Sequence, residues 1–306
     1  LRKATAKALF SKIGRFPLLS GLGNTFKIKI MQKFTLEILF QILGIGSASG
    51  LVYTDNTLHI VSDNSTFLYQ YNIKENQMSK LKLFDNSQEN IKKKDKFDFE
   101  SLTLKDKKLY LFGSGSKPKR QKLATYNPKD NTTTETNLAE LYTEFRKAAQ
   151  IPNAELNIEG IVFYKNQWIF FQRGNGKEAK NGIFILKSKK IDTKQPITYI
   201  PIVLPNLKNV AATFTDAVLV DDKIYFLASA EDSNSTYKDG EITGSLIGCL
   251  DAKKYTVDFT QPITETQKFE GLTLYKNSKD SIEFLLCEDN DTEVLESTIY
   301  KLALQK

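Results

Sequence analysis

A single histidine and two cysteines are all that this 306-residue chain offers to soft-metal or histidine-based chemistry. His59 sits mid-strand in LHIVSD and reads as a packed residue, so a Ser-His-Asp or Cys-His centre finds no support. Cys249 and Cys287 lie far apart without a CxxC partner. Neither a zinc site nor a disulfide framework is expected, and a reducing, cytoplasmic compartment fits. No run approaches the roughly 18–20 apolar residues of a membrane helix, so no membrane span is expected. Neither G-x-G-x-x-G nor a P-loop occurs, and GSGSK after a strand lacks the required spacing.

Basic charge is scarcer than the total suggests. The chain carries 43 Lys and Arg against 36 Asp and Glu, a net +7. Residues 1–36 hold eight of those bases (Arg2, Lys3, Lys7, Lys12, Arg15, Lys27, Lys29, Lys33) and no acid, which leaves 35 against 36 for the rest. The body offers no footprint for a phosphate backbone, so nucleic acid is not an expected partner. Residues 1–30 read as a basic leader outside the fold, followed by a single domain over residues 31–306 that opens at Met31. The leader is acid-free, like a transit peptide, but Arg15 and Pro17 break its apolar residues and no secretory cleavage pattern follows. A short docking helix from Thr5 to Ile13 is the alternative.

What the chain does have is a repeat. SGLVY from Ser49, ESLTL from Glu100, EGIVF from Glu159, DAVLV from Asp216 and EGLTL from Glu270 start 51, 59, 57 and 54 residues apart. Each joins an oxygen-bearing residue to a small one, then to alternating aliphatics. Polar turns follow, such as Asp55-Asn56, Asp106-Lys107, Lys165-Asn166 and Asp221-Asp222. A second apolar strand comes next: LHIVSD, LYLFGS, WIFFQR, IYFLAS and IEFLLC. Third strands, and in four repeats a fourth, complete the unit. Short strands at this period describe blades, so the expected fold is all-β, a five-bladed β-propeller. The last repeat stops one strand short, and FTLEILF, residues 34–40, is left over at the front. Pairing it with TIYKLAL would close the ring. LAELYTEFRKAAQ, residues 138–150, has the helical period and good formers, so one helix is expected between blades two and three.

In a blade the first strand lines the channel and the second runs antiparallel beside it. First-strand starts and second-strand ends therefore meet at one end. That end collects Ser49, Glu100, Glu159, Asp216 and Glu270 from the starts. It collects Asp63, Ser114, Arg173, Glu231 with Asp232, and Glu288 with Asp289 from the ends. Four carboxylates around one axis repel unless they protonate or a cation sits among them. Hard oxygen donors without thiolates favour Ca²⁺ over zinc, so Glu100, Glu159, Asp216 and Glu270 are the expected metal ligands. Without a metal, the same acids would cap turns between blades. Ser49, Asp63, Ser114, Arg173, Glu231, Asp232, Glu288 and Asp289 are the expected ligand contacts, with Arg173 foremost for a small anionic ligand. The lysines of GSGSKPKRQK (Lys117, Lys119, Lys122, beside Arg120) and KKKDK, residues 92–96, read as solvated loops.

On SGL-x-Y, VSDN, F-D-F-E-S-L and I-E-G-I, the chain resembles the SdiA-regulated family of bacterial propellers. Its Glu-Gly starts resemble the phytase-like, or esterase-like phytase, propellers; together the likeness covers about residues 45–304. The resemblance implies a five-bladed propeller and calcium carried by Glu100, Glu159, Asp216 and Glu270. Ser49 in blade one and Asp216-Ala217 in blade four depart from the pattern. The function expected is that of a monomeric binding module whose calcium-occupied acidic mouth takes a small anionic ligand. The alternatives are a metal-dependent hydrolase of phosphoesters or lactones, and a protein-interaction disc. No residue stands out as a nucleophile, so no catalytic residue is assigned.

Overall fold

The computed structural model describes residues 33–191, 194–233, 240–289 and 295–306; the expected leader, residues 1–30, lies outside them. Strand β1 (Phe34–Leu43) comes first. Blade one is β2 (Ala48–Thr54), β3 (Thr57–Ser62), β4 (Phe67–Asn72) and β5 (Gln77–Lys82). Blade two is β6 (Phe99–Lys105), β7 (Lys108–Gly113), β8 (Lys122–Asn127) and β9 (Thr132–Asn137). Helix α1 (Ala139–Ala149) leads to blade three: β10 (Ile158–Tyr164), β11 (Gln167–Gln172), β12 (Gly182–Leu186) and β13 (Ile197–Pro201). Blade four is β14 (Asn206–Leu207), β15 (Val210–Val220), β16 (Lys223–Asp232), β17 (Glu241–Asp251) and β18 (Val257–Thr264). Blade five is β19 (Phe269–Asn277), β20 (Ser281–Glu288) and β21 (Glu296–Gln305), and β1 completes it.

Turn chemistry sets the hairpins. Both turn residues have positive φ between β2 and β3 (Asp55 51°, Asn56 61°), β6 and β7 (Asp106 50°, Lys107 60°), and β10 and β11 (Lys165 46°, Asn166 65°). Two-residue turns of this hand match the right-handed twist of the strands they join. The innermost strands β2, β6, β10, β15 and β19 each adjoin the next, and β19 returns to β2. The chain is a five-bladed propeller. β1 closes it as expected, pairing antiparallel with β21 from Phe34 opposite Leu304 to Leu43 opposite Glu296.

The core is divided among the gaps between blades. Phe171 of blade three meets Phe214 of blade four edge-on at 5.0 Å, and Phe214 meets Phe226 at the same distance. Helix α1 fills the gap between blades two and three. Its N-terminus is held by Asn137 Oδ1, which accepts the Ala139 N–H at 2.8 Å. Phe145 stacks on Phe184 with centroids 4.4 Å apart, and Tyr142 donates to the Gly113 carbonyl at 2.7 Å.

Cys249 and Cys287 are buried, and neither is in a disulfide. His59 is packed in β3, where burial lowers its pKa to about 4. Among the described residues, no helix is long and apolar enough to cross a membrane.

Candidate functional site at the channel mouth

Every innermost strand breaks register at the same point. Pairing with the second strand jumps from Ala48 to Gly50, Phe99 to Ser101, Ile158 to Gly160, Phe214 to Asp216 and Phe269 to Gly271. Ser49, Glu100, Glu159, Thr215 and Glu270 are left as bulge residues, and a bulge re-aims its side chain. The ring is thus three glutamates and two hydroxyls. In blade four the position expected for Asp216 belongs to Thr215. The hydroxyl bonds agree: Ser49 Oγ donates to the Phe99 carbonyl at 2.6 Å, and Thr215 Oγ1 to the Phe269 carbonyl at 2.7 Å. Each reaches the residue before the bulge of a neighbouring blade.

Asp216 falls one place later, where the other blades carry Gly50, Ser101, Gly160 and Gly271. Space is short there: a Cβ on Gly160 would lie 2.8 Å from the Ala217 nitrogen. The Asp216 carboxylate accepts backbone N–H groups from Leu272 at 2.6 Å and Ala217 at 2.7 Å, tying blade four to blade five. Burial outweighs those bonds and pushes its pKa well above the usual carboxylate range. Its role is a stitch between blades.

Two ion networks surround the ring. On one side, Arg173 Nη2 lies 2.6 Å from Glu231, and its Nη1 lies 3.3 Å from Glu159 and 3.6 Å from Glu270. Lys268 joins them at 2.9 Å from Glu270 and 3.1 Å from Asp289. Burial pushes Glu270 up to about 8, against the opposing pull of Lys268. On the other side, Lys96 is paired with Asp63 and lies 2.9 Å from Asp98. Arg120 Nη1 lies 2.5 Å from Asp98, which also accepts the Ser114 hydroxyl. Asp98 holds a left-handed backbone, φ 58°, the kind of strain that surroundings must over-determine.

Glu100 stands between the networks and belongs to neither. It is 9% exposed and has no hydrogen bond or ion pair among the described residues. Burial, then the charges of Asp98, Glu159, Asp63 and Glu270, holds its pKa well above the carboxylate range. Its carboxylate lies with those of Asp63 and Asp98, one oxygen from each within 4.8 Å of the others. Among the described residues this is the one trio of acids, cysteines or histidines so arranged. The expected quartet of Glu100, Glu159, Asp216 and Glu270 is not gathered in this way.

The remaining expected contacts divide. Ser49, Asp63, Ser114, Arg173, Glu231 and Asp289 enter the mouth's bonds. Glu288 instead accepts the Tyr300 hydroxyl, and Asp232 is exposed opposite Glu241. Arg173 is in the mouth with Nη1 and Nη2 on acids, while its buried Nε has no hydrogen-bond partner among the described residues. Four members escaped the sequence reading: Lys96, Asp98, Arg120 and Lys268. Lys96 and Arg120 correct the solvated-loop reading, since both are buried. The signal for Lys96, Asp98 and Lys268 was present in KFDFE and KFE, where charges alternate with Phe97, Phe99 and Phe269; Phe99 and Phe269 are buried and Phe97 packs beside Phe99.

Residues 44–304 match a family described as of unknown function, DUF6929. The chain belongs to the DUF6929 family. No curated protein matches it. Among solved structures, the DUF6929 chain is similar to the glutaminyl cyclase of Myxococcus xanthus, with TM-score 0.50, 12% identity, and 89% of this chain and 98% of that one covered. A luciferin-regenerating enzyme matches with TM-score 0.47 and 8% identity over 88% and 95% of the two chains. A streptogramin B lyase matches with TM-score 0.43 and 13% identity over 89% and 98%. At such identities, the likeness to the cyclase shows the fold of the DUF6929 chain and nothing of its chemistry.

Proposed function

We propose that the acidic mouth is a cation site, calcium by its donor chemistry, and that the chain is a binding module which uses the ion to hold a small anionic ligand. The observation that carries this reading is Glu100, a buried carboxylate without a partner among the described residues. Around it, six further acids (Asp63, Asp98, Glu159, Glu231, Glu270, Asp289) face four cations (Lys96, Arg120, Arg173, Lys268). A carboxylate so placed either takes up a proton or gains a cation.

Asp63, Asp98 and Glu100 would hold the ion. All their donors are hard oxygens, which suit calcium and not zinc. Three carboxylates supply fewer oxygens than the roughly six to eight that calcium takes, so water or ligand oxygens would complete the set. Lys96 is the competitor, because its ammonium is bonded to Asp63 and Asp98 and must give way. Seven acids against four cations leave the mouth negative even with a divalent ion, so an anionic ligand would be held by direct bonds to the ion rather than by the net charge. The likeness to phytase-like propellers, carried by the Glu-Gly starts at Glu159 and Glu270, implied calcium on Glu100, Glu159, Asp216 and Glu270, of which Glu100 belongs to this trio.

A metal-dependent hydrolase of phosphoesters or lactones is the second reading. One observation favours it: burial biases Glu100 toward its protonated form, the state a general acid needs. Calorimetric titration of calcium into wild type, Lys96→Met and Glu100→Gln tests the first reading. Binding is expected in wild type, about tenfold tighter in Lys96→Met, and absent in Glu100→Gln. No heat in either of the first two proteins rules the ion out. Calcium-dependent cleavage of a phosphomonoester, abolished in Glu100→Gln, would decide for the enzyme.

A further inference from the structure

The lysines that take no part in the acidic mouth gather on the rim of blade two. Residues 92–96 form a turn, in which the Asp95 and Lys96 N–H groups donate to the Lys92 carbonyl at 2.8 and 3.2 Å. Residues 115–119 form a loop against helix α1, where Gly115 holds φ 85° and a Cβ would lie 2.7 Å from the Tyr142 ring. Buried Arg120 pins turn and loop together. Its Nη2 donates to the Lys93 carbonyl at 3.0 Å, and its backbone N–H to the Lys117 carbonyl at 2.9 Å. Lys119 reaches Asp95 across the same gap at 2.7 Å. Lys92, Lys93, Lys94 and Lys119 are exposed, and Lys117 is half-buried. Against these five ammonium groups, residues 92–95 and 115–119 hold one carboxylate, Asp95.

Like charges on a solvated loop spread apart, whereas these are held side by side. The bond from Lys119 lowers the Asp95 pKa, and the charges of Lys94 and Lys92 act in the same direction. Burial, then the charge of Arg120, lowers the Lys117 pKa, and Lys93 and Lys96 add to it. A fixed cluster of one sign attracts a partner of the other and spares it the cost of ordering the site. We propose that this rim is a docking surface for an acidic polypeptide segment, independent of any ion at the mouth. The lysines present single ammonium groups, which take carboxylates one at a time. The fork that matches phosphate is on Arg120, which is buried and turned to Asp98. The mouth beside the rim carries seven acids against four cations. A duplex or an anionic bilayer is broad enough to lie over both and would be repelled there. An extended chain is narrow, and six to eight residues of it reach roughly 20–29 Å, so it can follow the rim alone.

The probe is a fluorescein-labelled peptide of about eight glutamates, titrated with the full chain and followed by fluorescence anisotropy. A chelator is present, so that no divalent ion bridges peptide and mouth. At about 0.1 M salt, where charges act over about 10 Å, saturable binding is expected with a Kd below about 200 µM. At about 0.5 M salt it should be at least about tenfold weaker. Lys93→Glu, Lys94→Glu and Lys117→Glu together should abolish it. Glutamine at the same three positions should weaken it at least about fivefold, since each exposed pair contributes about two- to fivefold. Lys74→Glu, Lys129→Glu and Lys279→Glu together change the net charge equally, on exposed turns at the far end of the disc, and should leave Kd within about threefold. Equal losses in the two glutamate triples, undiminished binding in the glutamine variant, or anisotropy that never saturates overturns the proposal. So does a DNA duplex or a phosphatidylserine vesicle that binds more tightly than the peptide and is lost in the same rim variant.

Discussion

Glu100 and Glu159 are one repeat apart, both buried, and opposite in circumstance. Glu159 accepts from Asn157 at 2.6 Å and faces Arg173, whereas Glu100 has no bonded partner among the described residues and feels other acids most, with Lys96 the cation within electrostatic reach. Glutamine at the two positions should therefore act with opposite sign in the metal-free protein. Glu159→Gln strips charge from a buried pair and should cost about 1–3 kcal/mol. Glu100→Gln removes a charge that has no partner and should leave stability level or raise it by about 1 kcal/mol. Urea denaturation reads both, and a Glu100→Gln loss as large as that of Glu159→Gln would contradict the account. His59 supplies a pH dependence. Burial lowers its pKa from 6.5 to about 4, so the unfolded chain takes up a proton that the folded chain refuses. Its contribution is complete above pH 6.5 and is lost as pH falls toward 4, by up to about 3 kcal/mol. His59→Gln should flatten the fall in urea midpoint between pH 7 and pH 5 relative to wild type.

Among the elements, the hairpin turns hold strain that can be removed. Lys107 and Lys165 sit at φ 60° and 46°, a region that costs a side chain about 1 kcal/mol and glycine nothing. Lys107→Gly and Lys165→Gly should each stabilise by about 0.5 kcal/mol net of the freedom glycine adds to the unfolded chain. Asn56→Gly should change little, because asparagine already tolerates that conformation. Equal effects at all three sites, seen in denaturation midpoints, would refute the argument. Turns, strand order and helix α1 were legible in the sequence because each is written locally, as a dipeptide, a period of two or a period of 3.6. The ring's register was not. Aligning the repeats by their acids placed Asp216 where the pairing puts Thr215, because a bulge is a property of two strands and appears in neither alone. Arg120 and Lys96 were misread for a related reason. Both lie in lysine-rich loops, and only the meeting of residues 92–98 with residues 114–122 shows that these two point inward.

For the whole molecule, the decisive joint is between β1 and β21. Removing the chain through Leu43 bares the edge of β21 and should produce aggregates by size-exclusion chromatography. Ile38→Lys, on a side chain 62% exposed in β1, should leave the elution unchanged. A truncated protein that elutes and melts like the full chain would show that the closure is dispensable. The same joint bears on how the protein is made. Gln41 and Glu296 bond across it, although they stand 255 residues apart in the chain. At about 5–20 residues per second, β1 leaves the ribosome roughly 13–50 seconds before its partner exists. Through that interval a strand bearing Ile38 and Leu43 on its surface has no sheet to join, while blades one to four can already assemble behind it. The nascent chain is thus most exposed to wrong pairing at β1, the strand that waits longest for its partner, and shielding by a chaperone would matter most there.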